Sequence, residues 1–190
     1  DTAGAGIGTC GAIVIDLPPG TYYARTEETG NNTDIPRYFL DADYVDEAGI
    51  ETEPNDVIAQ ASANLAGLPS AVVAGDHQLN LDVDVYAVTV PPGKGLRAEV
   101  IEADRLVETC ESNGVDSRLR LQDAAGVQLV VDDDDGRGFC SMIDGTSATP
   151  RDPGARNGSS VPQTWYLFLD QSTFAMGADG QFSYRLQVTI

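Results

Sequence analysis

The chain is short of positive charge, of histidine and of cysteine, and each shortage removes a class of function. Eleven Lys and Arg stand against thirty Asp and Glu, leaving a formal net charge of −19. Such a surface repels phosphate backbones and anionic bilayers over a Debye length of about 10 Å at ordinary salt. No basic stripe with interleaved aromatics occurs, so nucleic acid is not an expected partner. One histidine, His77, leaves a transition-metal site almost no ligands. The three cysteines, Cys10, Cys110 and Cys140, lack the C-x-x-C spacing of zinc or redox centres. No apolar run approaches the roughly 20 residues that cross a bilayer, so no membrane insertion is expected. No signal peptide is recognisable, and the chain reads as mature or excised. Helical patterning is scarce as well: only residues 57–65 (VIAQASANL) suit a short helix, and they suit an extended edge equally.

What is present is the texture of an all-β protein. A hydrophobic fraction of 42% is enough to build a core, and 20 Gly with 10 Pro are scattered between short apolar runs. Alternation marks the strands. In Asp84–Val90 it places Tyr86, Val88 and Val90 on one face, and Leu96, Ala98 and Val100 follow the same rule. Residues 118–122 and 127–131 flank the turn signal D-A-A-G and read as a hairpin. Residues 163–170 and 182–190 supply the closing strands. Turn signals every 8 to 12 residues or so predict an antiparallel β-sandwich.

An internal repeat organises the chain. Residues 6–13 (GIGTCGAI) align with 136–143 (GRGFCSMI), 21–28 (TYYARTEE) with 164–171 (TWYLFLDQ), and 38–42 (YFLDA) with 184–188 (YRLQV). Residues 1–47 therefore read as the second half of a unit whose complete copy spans 51–190, joined by an acidic linker over 48–56. Strands are expected over 21–28 and 36–45 of the half-unit.

Across residues 51–190 the chain resembles the bacterial pre-peptidase C-terminal family, relatives of the collagen-binding domains of bacterial collagenases. The residues that carry the resemblance are E-T-E-P-N-D (51–56), D-V-D-V-Y (82–86), P-P-G-K-G-L (91–96), D-S-R-L-R-L-Q-D-A-A-G (116–126), the aspartate run at 132–135 and the closing tyrosine strand. The resemblance implies a jelly-roll-like sandwich attached to a secreted, bacterial-type extracellular protein, often a protease. It also implies a calcium ion held by Glu51, Glu53, Asn55 and Asp56 together with Asp82 and Asp84. Physical chemistry supports the same set. In an extended segment Glu51, Glu53 and Asn55 share a face, as do Asp82 and Asp84. Calcium takes about 6 to 8 oxygen ligands, and clustered carboxylates repel one another without a cation. The competing reading is a solvated acidic linker. A second cation site over Asp116, Asp132, Asp133 and Asp134 competes with a charged surface loop. In an oxidising compartment Cys110 and Cys140 form a disulfide, the alternative being two buried thiols. Cys10 then lacks a partner and becomes a candidate for an intermolecular bond.

Catalytic look-alikes are set aside. Residues 145–150 (GTSATP) resemble the serine motif of subtilisin-like proteases, but His77 lies in G-D-H-Q, outside the context that family uses. The glycine-rich start, D-T-A-G-A-G-I-G, neither follows a strand nor opens a helix, so no phosphate loop is expected. The expectation is no enzyme but an accessory domain that stabilises, spaces or targets a larger secreted protein. The alternative is a tandem-repeat adhesin or a fibre subunit completed by strands from copies of itself. Tyr22, Tyr23 and Trp165 are candidates for a face that binds an extracellular polymer, with core packing the competing role.

Overall fold

The computed structural model describes residues 4–5, 11–12, 18–26, 46–78, 82–102, 110, 115–136, 140–172 and 181–190. Its strands are β1 (Gly4–Ala5), β2 (Gly11–Ala12), β3 (Asp46–Ile50), β4 (Ser70–His77), β5 (Asp84–Val90), β6 (Arg97–Glu102), β7 (Ser117–Asp123), β8 (Gln128–Asp132), β9 (Met142–Asp144), β10 (Gln163–Gln171) and β11 (Phe182–Thr189). Among the described residues the only helical pieces are 3-10 turns such as Ile58–Gln60 and Pro153–Ala155. One sheet runs β3-β4-β11-β6-β9 and the other β5-β10-β7-β8, while β1 and β2 form a short antiparallel pair. Among the described strands the pairings are antiparallel except β3 with β4. The fold is the expected β-sandwich.

Alternation explains the core. In β5, Tyr86, Val88 and Val90 point inward and are fully buried. Leu119 and Leu121 of β7 and Leu167 and Leu169 of β10 join them. From the other sheet come Val73, Ala98, Val100, Leu186 and Val188. Trp165 belongs to this core with 6% of its surface exposed, so it presents no ring to a polymer. Cys110 and Cys140 are disulfide-bonded with Cα atoms 5.2 Å apart, and both are buried. In the chain-entropy model a loop of 30 residues closed this way contributes on the order of 3 to 4 kcal/mol.

Side chains occupy several backbone groups at the edges of the five-stranded sheet. On β3, the carbonyls of Ala48 and Ile50 accept from Asn64 Nδ2 at 2.9 and 3.0 Å. On β9, the Met142 N–H donates to Asp132 at 2.7 Å and the Asp144 N–H to Asp152 at 2.8 Å. In the other sheet, the free edge of β5 is bridged by Ser62, whose N–H donates to Val85 O at 2.7 Å. Residues 57–65 therefore hold a 3-10 turn, a single bridge from Ser62 to β5 and the start of a further turn.

Three expectations need correction. Residues 48–50, read as linker, belong to β3 and pair with β4, because their backbone groups find partners there. Residues 21–26, read as a strand, lie outside any strand and are exposed. There the Tyr22 hydroxyl folds back to donate to Pro18 O at 2.5 Å, leaving Tyr22 49% and Tyr23 92% exposed. Strands β1, β2, β3, β4 and β9 were not expected. By contact the chain divides into residues 15–44 and the remainder. Cys10 and the strand expected over 36–45 lie outside the described residues, as does most of the half-unit.

Candidate metal centre

The acidic residues singled out by the sequence converge at one end of the sandwich. Strand β3 delivers Glu51, whose N–H donates to Ala74 O of β4 at 2.9 Å. Strand β5 begins at Asp84, inward-facing and fully buried. Ligand oxygens of Glu51, Glu53 and Asp84 lie within 4.8 Å of one another, and so do those of Glu53, Asp56 and Asp82. Glu53 belongs to both groups, so the six expected residues form one continuous cluster with Asn55 among them. The first group is the more buried and the second the more exposed.

Two tyrosines from the core complete the inner half. The Tyr86 hydroxyl donates to Glu51 Oε2 at 2.7 Å, and the Tyr184 hydroxyl to Asp84 Oδ2 at 2.7 Å. Tyr184 also lies 3.0 Å from Glu51 Oε2, and the two phenol oxygens are 2.6 Å apart. Each phenol has one hydrogen, so these short oxygen–oxygen contacts cannot all be hydrogen-bonded if both carboxylates are ionised. Asp76 N–H donates to Glu51 Oε1 at 2.6 Å and Asn55 Nδ2 to Glu51 Oε2 at 3.2 Å. The Asn55 N–H donates to Glu53 Oε2 at 3.0 Å.

Two oxygens remain without a donor. Asn55 and Asp84 are both fully buried, and neither the Asn55 Oδ1 nor the Asp84 Oδ1 has a hydrogen-bond partner. A buried acceptor left this way costs about 1–3 kcal/mol. Burial is the main cause that pushes the Asp84 carboxyl up to about 9, with the neighbouring Glu51 and Asp82 charges adding to it and the Tyr184 hydrogen bond opposing it. Glu53 is also raised, by burial first and then by Asp82, Glu51 and Asp56, against the Asn55 hydrogen bond. Tyr86 and Tyr184 are held well above the ordinary phenol range, chiefly by burial. Among the described residues no Lys or Arg is ion-paired with the cluster. Its donor set, carboxylate and amide oxygen without nitrogen or sulfur, fits a hard divalent cation.

The second expected site forms differently. Asp132 turns inward, and its Oδ2 accepts from the N–H of Met142 at 2.7 Å and of Asp135 at 3.2 Å. It therefore closes the edge of β9 and the aspartate turn, and burial pushes its carboxyl up to about 7. Asp116 is raised by burial, then by Asp134 and Asp133. Ser172 Oγ donates to Asp133 at 3.3 Å. Asp135 is ion-paired with Arg151. Among the described residues these carboxylates do not come within 4.8 Å as a group of three.

Sequence reasoning did not find the structural supports of the inner half. Gly75 of β4 lies against it: a Cβ there would collide with the Tyr184 phenol and come 2.9 Å from the Glu51 carboxyl carbon. Tyr86 and Tyr184 were read only as strand residues. A tyrosine at an inward position signals a buried hydroxyl that needs a partner, and that signal was available. The subtilisin-like reading has no support, since Ser147 is exposed while His77 is buried against Phe182.

These features define a β-sandwich with an acidic cluster at one end whose carboxylates could hold a metal ion. The chain matches no protein-family model, and no curated protein matches it. Among solved structures it is similar to the pre-peptidase C-terminal domain of a collagenase from Bacillus anthracis, at 12% identity and a TM-score of 0.41, covering 80% of this chain and 100% of that one. It is also similar to a periplasmic inhibitor of g-type lysozyme from Aeromonas hydrophila, at 11% identity and a TM-score of 0.36, covering 78% of this chain and 98% of that one.

Proposed function

We propose that this sandwich is a calcium-stabilised, non-catalytic accessory domain of a larger secreted protein. The observation that carries the reading is the pair of orphaned buried oxygens, Asn55 Oδ1 and Asp84 Oδ1, within a cluster of five carboxylates. Glu51, Glu53, Asp84 and Asn55 would hold an ion in the inner half, with Asp56 and Asp82 on its solvent side. The ion would neutralise carboxylates that otherwise repel and would give the two orphaned oxygens a partner. Because Glu51 follows β3 and Asp84 opens β5, the same ion would tie the leading strand of one sheet to the edge strand of the other. The buried disulfide is in keeping with export to an oxidising compartment.

Calorimetric titration with calcium tests the site, comparing the protein with Asp84→Asn. The native chain should bind calcium, and the variant should lose at least about tenfold in affinity, as expected when a ligand charge is removed. In chelator above about pH 9, where the Asp84 carboxyl is ionised, the variant should melt no lower than the native chain, because its amide ends the burial of an uncompensated charge. Equal calcium affinity in both proteins would remove Asp84 from the site.

A further inference from the structure

We infer that His77 is a positioning residue of the cation site, one that fixes the arm carrying Asp82 and Asp84 without contacting the ion. The inference rests on the calcium reading above and extends it to a residue outside the ligand set. His77 is the chain's single histidine and the last residue of β4. The inward alternation of that strand runs Ala71, Val73, Gly75, His77, and His77 is 1% exposed. Its Nε2 lies 2.9 Å from the backbone oxygen of Asp82. A carbonyl only accepts, so in this contact Nε2 carries the hydrogen and donates. The next residue adds a second tie, with the Gln78 N–H donating to Asp82 Oδ2 at 2.5 Å. The end of β4 thus holds both the main chain and the carboxylate of Asp82, two residues before Asp84.

The imidazole is itself held. His77 stands directly opposite Phe182 in the β4–β11 register, and the rings stack with centroids 4.9 Å apart and planes 5° apart. Phe182 then meets Tyr184 edge-on at 6.1 Å. Tyr184 carries the hydroxyl that holds Asp84. One aromatic ladder on the inner face of the sheet therefore fixes both ends of the acidic arm, Asp82 through His77 and Asp84 through Tyr184. His77 itself contributes no atom to either carboxylate group. Residues that orient metal ligands in this way change affinity by roughly 10- to 100-fold when replaced.

Two substitutions separate the hydrogen bond from the stack. His77→Phe keeps a buried ring against Phe182 and removes the donor, whereas His77→Gln keeps an amide donor and removes the ring. Calcium chloride titrations and melting in chelator are read for both. The account predicts that His77→Phe weakens calcium binding about tenfold or more while its melting temperature in chelator stays close to that of the native chain. It predicts the reverse for His77→Gln: a lower melting temperature in chelator, with calcium affinity within about threefold of native. Native affinity in His77→Phe overturns the inference, and so does a tenfold loss in His77→Gln, which decides the matter even if the Phe variant does not fold. Failure of the unaltered protein to bind calcium would instead remove the calcium reading.

Discussion

At the scale of single residues, the cluster is a set of carboxyl groups that the fold holds too close and too dry. Asp84 is pushed up to about 9 and Asp132 to about 7, each chiefly by burial. In the unfolded chain both return to about 4, the ordinary aspartate value. The folded protein without metal therefore binds more protons than the unfolded chain between those limits. A carboxyl whose pKa rises on folding gives its full benefit at low pH and loses it as pH climbs through the folded value. Glu53 and Asp116 shift in the same direction. In chelator, the melting temperature should therefore be higher at pH 5.5 than at pH 8.5. Melting followed by circular dichroism at the two values checks this, and a higher value at pH 8.5 contradicts the assignment of buried, uncompensated carboxyls. Asp132 has a further role visible only in the fold, since its carboxylate caps the outer edge of β9. The run Asp132–Asp135 is thus a built turn, and charge density alone gave no sign of it.

At the scale of elements, legibility followed periodicity. Strands β5 and β6 were readable from alternation, β7 and β8 from the turn signal D-A-A-G between them, and β10 and β11 as the closing strands of the unit. Strand β4 was not, because two of its inward positions are Gly75 and His77, which carry no hydrophobic signal. Strand β3 reads as an acidic linker, and its partner β4 lies some twenty residues on in parallel register, a pairing that leaves no local mark. Strand β9 is three residues long, too short for a pattern. The acidic half of the site was legible because its residues cluster in two short segments. The supports were not, since Tyr184 meets Glu51 across 133 residues of sequence. Gly75 shows what that distance hides. Its missing side chain leaves room for the Tyr184 phenol beside Glu51. Gly75→Ala should cost about 1–3 kcal/mol by overpacking and should weaken calcium binding at the same time. Chemical denaturation and calcium titration of that variant measure the two effects. A variant with native stability and native affinity would show that the close approach is not needed.

At the scale of the whole molecule, a net charge of −19 works against compaction, and the design answers locally. Arg118 and Arg120 converge on Asp170 at 2.8 and 2.6 Å, and Arg97 pairs with the buried Glu99 at 2.6 Å. The cluster at Glu51 and Asp84 has no such partner among the described residues, which is why a cation is central to the account. The central claim is tested most directly by melting the protein at neutral pH in chelator, in excess calcium and in excess magnesium. A ligand that binds only the folded state at about 100 times its dissociation constant adds about 2.7 kcal/mol. For a chain of this size that corresponds to a rise of roughly 5 to 10 °C. Magnesium should restore little of it, because it demands a smaller and stricter octahedral shell. The account predicts a clear rise with calcium over chelator and a small one with magnesium; identical melting curves in chelator and in calcium would contradict it.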